Sequence, residues 1–125
     1  MRWLLHGTMT TAVADALKRH GHHATNMVDA GLPPAAAPVD VLTFAGAAQL
    51  DVLTTDATMA EAPFLLGQPF DRSIVYLQLE GGDVEQDDAV DRLFGRYKRL
   101  SPGRLYTVTG SRVKVRQLPT GINPT

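Results

Sequence analysis

The chain has 125 residues, with 12 Lys and Arg against 13 Asp and Glu, so it reads as a single core at a formal net charge of −1. At 44% hydrophobic and 20% charged residues it has globular composition, which excludes a disordered or collagen-like chain; the absence of cysteine excludes disulfides, thiolate metal sites and a cysteine nucleophile. No apolar run approaches ~18 residues, so no membrane-spanning helix is expected. The opening Met1–His6 is too short for a signal-peptide core, and the expectation is a mature cytoplasmic chain that starts there.

In chain order, Arg2–Leu5 is a short apolar run suited to a buried strand. A helix follows, capped by Thr8 or Thr10, with Val13, Ala16, Leu17 and His20 on one face and Gly21 ending it. His22–Val28 turns extended, and Gly31–Pro38 is a rigid proline-rich connection. From Val39 to about Leu50, Val41, Leu42, Ala45 and Ala48 make an apolar helix face, with Asp40 in the first turn where its charge suits the helix dipole. Val52–Thr55 is β-prone and ends at Asp56. Ala60–Phe70 contains Pro63, Gly67 and Pro69 and reads as a short helix or turn followed by loop. Ser73–Leu79 is the clearest strand, and Val90, Leu93, Phe94, Tyr97 and Leu100 mark the longest helix, led by acids and trailed by Arg96, Lys98 and Arg99. Leu105–Thr109 and Arg112–Arg116 flank Gly110-Ser111 as a hairpin, after which 119–125 reads as a frayed tail. Alternating strands and helices with a final hairpin predict an α/β sandwich over 1–118, its sheet mainly parallel with an antiparallel edge.

The small net charge conceals a division. Up to Asp91 the chain carries 4 basic and all 13 acidic residues, whereas Arg92–Thr125 holds 8 basic residues and no acid. Such asymmetry points to a polyanion or an acidic partner, or to charges that are simply solvated. Arg112, Lys114 and Arg116 alternate along the last strand, so they share one face about 6.6 Å apart. They can contact phosphates along a single strand of RNA, or merely guard a sheet edge. Aromatic residues are only 6%, which gives no support for a base-stacking platform.

Open α/β sheets bind ligands beyond the carboxyl ends of their strands, where His6 and Asp56 fall and where Asp40 can join them. At these positions the chain resembles the PIN-like nucleases, in the compact variant related to VapC toxins. The family's apolar strand running into Asp-Glu-Asn corresponds to Leu4-Leu5-His6-Gly7-Thr8, its Gly-His to Gly21-His22, and its Gly-Leu to Gly31-Leu32. Its helix start corresponds to Asp40-Val41-Leu42, its Leu-Thr-x-Asp-x-Asp-Phe turn to Leu53–Met59, and its Arg- and Val-rich closing strand to Arg112–Pro119.

The resemblance implies a three-layer α/β/α sandwich and a divalent-metal endoribonuclease of toxin–antitoxin type, using Mg²⁺ or Mn²⁺, with RNA as substrate, an antitoxin partner and a homodimer. It assigns Asp56 and Asp40 to the metal and His6 to a third ligand or base. The sequence departs from the pattern where the chemistry lies: His6 and Gly7 replace acids, and Thr58 replaces the second Asp of the turn. Two carboxylates and an imidazole make a poor Mg²⁺ site, since hard cations prefer oxygen. Activity is retained with an altered metal or with another carboxylate such as Glu61 or Asp71 recruited, or else the fold survives as a non-catalytic RNA- or protein-binding module. Asp56 can instead cap the segment that follows it, Asp40 can equally be a helix-start charge, and Thr54, Thr55 and Thr58 can hold a phosphate or water. His20, His22 and His23 straddle a glycine and are not expected to converge on a metal.

Overall fold

A computed structural model describes residues 1–119. Its strands are β1 (Arg2–His6), β2 (His23–Asn26), β3 (Asp51–Thr54), β4 (Ile74–Leu77), β5 (Arg104–Val108) and β6 (Val113–Gln117). The helices are α1 (Thr11–Arg19), α2 (Pro38–Ala48), α3 (Ala57–Leu66) and α4 (Asp83–Arg96). The six strands form one sheet in the order β2-β1-β3-β4-β5-β6, parallel throughout except for the antiparallel β5–β6 pair. This is the three-layer α/β/α sandwich with a C-terminal hairpin that the sequence predicts.

The central strands are apolar without a break because both faces are covered. Successive residues point to opposite faces, so Trp3, Leu53, Val75 and Tyr106 enter one core with α1 and α4, while Leu4, Val52, Ile74 and Leu105 enter the other with α2 and α3. The first core holds Val13, Ala16 and Leu17 of α1 against Ala89, Val90, Leu93 and Phe94 of α4. Polar contacts align those two helices: Arg19 forms a bidentate pair with Asp87 at 2.7 and 3.0 Å, and the Gln86 side-chain carbonyl accepts from the Thr10 N–H at 3.0 Å. Thr10, rather than Thr8, caps α1.

Four expectations are corrected. The extended run after α1 ends at Asn26, because Asn26 Oδ1 accepts the Asp29 N–H and folds the chain into a turn. Ala57–Leu66 is a full helix despite Pro63. Proline there removes one N–H only three residues before the end, and Gly67, in left-handed conformation, closes the last turn on the Pro63 carbonyl. The long helix stops at Arg96, so Tyr97 and Leu100 pack on the core from the connection that follows. Pro119 is no frayed end, since its carbonyl accepts the Phe70 N–H at 2.9 Å and Leu118 is buried; the rest of the expected tail, 120–125, lies outside the described residues.

Candidate functional site

The chain passes from β1 to β2 on one side and returns past β1 to β3 on the other. The connections therefore diverge between the carboxyl ends of β1 and β3, which is where such sheets open a crevice. His6 and Thr54 are register partners at this point, each the last residue of its strand. A cleft of about 410 Å³ opens at His6, lined by His6, Gly7, Thr8 and Asp56 on one side and by Asn26, Met27, Val28 and Pro34 on the other.

Its floor is a small hydrogen-bonded unit. Thr54 is fully buried and its hydroxyl accepts the Asp56 N–H at 3.0 Å. The hydroxyl also lies 2.8 Å from His6 Nδ1, a hydrogen bond whose direction follows the tautomer of the ring. His6 is 8% exposed. Burial lowers its pKa, against the opposing pull of the Asp56 charge, and so favours the neutral ring. The β1 and β3 ends are further tied by Thr55 N–H to the His6 carbonyl at 3.3 Å and Thr55 Oγ1 to the Thr8 carbonyl at 2.9 Å. Gly7 allows this approach: its φ is +92°, and a Cβ there would stand 2.5 Å from Thr55 Oγ1.

Asp56 is exposed at the N-terminus of α3, where its Oδ1 accepts the Thr58 N–H at 2.8 Å. Asp40 is also exposed, in the first turn of α2, and is not part of the cleft lining. The structure thus brings His6 and Asp56 to one cleft and leaves Asp40 outside it. Of the acids considered as substitutes, Glu61 pairs with Arg116 at 2.9 Å and Asp71 precedes β4 at the opposite edge of the sheet. Among the described residues, no three His, Asp or Glu side chains gather into a group able to hold a metal ion. One imidazole turned toward a buried hydroxyl, with one carboxylate already serving as a helix cap, is not a donor set that fits a resident Mg²⁺ or Mn²⁺.

The basic hairpin divides. Arg116 pairs with Glu61, and its guanidinium lies 3.9 Å from the centre of the Phe64 ring on α3. Lys114 lines a groove with Tyr76, Gln78, Glu80 and Thr109, and Arg112 stands exposed just before β6. The cleft wall from Asn26 to Pro34 was not among the sequence candidates. Its only sequence signal is the eleven-residue span between β2 and α2, long enough to fold over the strand ends.

The fold and the crevice define an α/β sandwich with a polar cleft at its topological switch point. No protein-family model, curated protein or solved structure matches the chain.

Proposed function

We propose that this chain is a PIN-like module that binds its ligand without metal-dependent cleavage. The observation that carries the reading is the donor set at the switch-point cleft. PIN-like hydrolysis needs several carboxylates around a divalent cation that activates water, and here His6 and Asp56 stand alone while Asp40 lies outside the lining. Position 7 cannot readily regain an acid, because φ is +92° and the Thr55 hydroxyl occupies the space a side chain would need. Strand ends tied together, a buried imidazole held toward its neutral form and a capped helix start support binding over catalysis at this crevice.

The test is incubation of the purified protein with single-stranded and hairpin RNA in Mg²⁺, in Mn²⁺ and in chelator. The expected result is no chelator-sensitive cleavage. Cleavage that chelator abolishes and that Asp56→Asn removes would overturn the reading and restore a toxin-type endoribonuclease, with its antitoxin partner and homodimer.

A further inference from the structure

The basic residues gather at the edge of the sheet opposite the crevice. In a parallel sheet every strand begins at the same edge, so residues far apart in sequence meet there: Arg2 opens β1, His23 opens β2, Arg72 precedes β4 and Arg104 opens β5. The α4–β5 connection returns to that edge and brings Lys98 and Arg99. Between these segments lies a second cleft of about 380 Å³, lined by Arg72, Lys98, Arg99, His22, Asp51 and Ser73 among others.

Three side-chain cations face one carboxylate in this cleft, and that carboxylate is already committed. Asp51 is buried, and accepts the Ser73 N–H at 2.8 Å and Arg72 Nη2 at 3.2 Å. It therefore anchors Arg72 at the cleft while neutralising part of its charge. Arg72 Nε is buried and donates to nothing among the described residues. Lys98 and Arg99 are exposed and form no ion pair among the described residues. By contrast, Arg19 and His20, near the same edge, are already satisfied by Asp87 and Asp91.

We propose that this amino-edge cleft is a phosphate-binding site that takes the backbone of a single-stranded nucleic acid, with Arg72, Lys98 and Arg99 as its contacts. A lone phosphate would need only the cleft. The exposed Arg2 on β1 and Arg104 on β5 extend the positive edge across four neighbouring strands, roughly 14 Å at their ordinary spacing. That length suits successive phosphates of one strand. The only aromatic ring in the lining is His22, whose Nδ1 accepts from Trp3 Nε1 and whose face stacks on Phe94. Base stacking is thereby denied, and binding is of backbone without sequence preference. This face is separate from the crevice of the proposed function, and its binding stands or falls independently of what the crevice holds or cleaves.

The test is binding of a fluorescent single-stranded oligonucleotide, measured by anisotropy across salt concentrations, to the full chain and to Lys98→Ala/Arg99→Ala. Both side chains are exposed and form no ion pair among the described residues, so the variant is expected to keep the fold. Losing two phosphate contacts should lower the salt slope by about 1.4 and weaken binding more than tenfold at low salt. Arg112→Ala/Lys114→Ala, at the opposite edge, should leave the slope unchanged. Competition with inorganic phosphate, polyglutamate and anionic lipid vesicles separates the sources of negative charge. An unchanged slope in Lys98→Ala/Arg99→Ala overturns the site. Displacement by free phosphate at concentrations equal to the oligonucleotide's phosphates, or tighter binding to polyglutamate or vesicles than to the oligonucleotide, overturns the nucleic-acid assignment.

Discussion

His6 ends β1 with its ring against the Thr54 hydroxyl, and burial holds its pKa below the ordinary 6.5 while the Asp56 charge opposes the shift. A histidine shifted this way binds its proton more readily in the unfolded chain. Its contribution to stability is therefore complete above about pH 6.5 and is lost as pH falls toward the folded value. His22 is shifted in the same direction, by burial first and then by its positive neighbours. Asp91, held low by its hydrogen bond from His20, loses its charge well below this window. The urea midpoint should accordingly drop between pH 7 and pH 5.5, and His6→Gln should flatten part of that drop. An equal pH dependence in wild type and His6→Gln would show that the His6 ring is not desolvated in the folded protein. The apolar run ahead of His6 marks a strand end in the sequence, but its burial does not show there. That depends on Thr54, forty-eight positions away, and on a connection that folds over from β2.

Asp56 acts at the scale of an element, because its carboxylate closes the first turn of α3 and its backbone N–H ties the turn to Thr54. A cap and a metal ligand respond differently to the same pair of substitutions. Asparagine caps as well as aspartate, whereas alanine costs about 1 kcal/mol. Urea unfolding of Asp56→Asn should match wild type within about 0.5 kcal/mol, and Asp56→Ala should lose about 1 kcal/mol. Equal losses in both would mean that charge rather than capping sets the role of this side chain. α3 also shows what was hidden in the sequence. Pro63, Gly67 and Pro69 suggest loop, yet Met59, Ala60, Ala62 and Pro63 are buried against the sheet, and that burial outweighs a single missing N–H near a helix end. The reverse holds for α4, whose acidic start and apolar spacing marked it plainly. Its final turn failed because Tyr97 and Leu100 reach the same core from an irregular connection, which periodicity cannot distinguish from helix.

Over the whole molecule, the balance of charge differs between the two strand ends more than it follows position in the chain. Asp29, Asp40, Asp56, Glu80, Asp83 and Glu85 follow strands or open helices at the carboxyl edge, whereas Arg2, Arg72, Arg96, Lys98, Arg99 and Arg104 lie at the amino edge beside fewer acids, Asp51 and Asp71 at the strand starts and Asp87 and Asp91 already paired with Arg19 and His20. The basic final third seen in the sequence is split by the hairpin: β6 runs antiparallel to β5, pairing Val108 with Val113 and Arg104 with Gln117, so Arg112 and Lys114 are carried back toward the acidic side. The amino edge is instead completed by Arg2 and Arg72 from the acidic segment, a grouping that appears only once the parallel order of the strands is known. A polyanion approaching such a molecule meets its largest group of unpaired cations at the amino edge among the described residues. Hydrogen exchange with a single-stranded oligonucleotide at low salt should therefore slow the amides of 71–73 and 97–104. The amides of 6–8 and 54–58, at the crevice, should keep their rates. Protection at the crevice with none at 97–104 would place the nucleic acid on the acidic side, where a bridging cation would be needed to hold it.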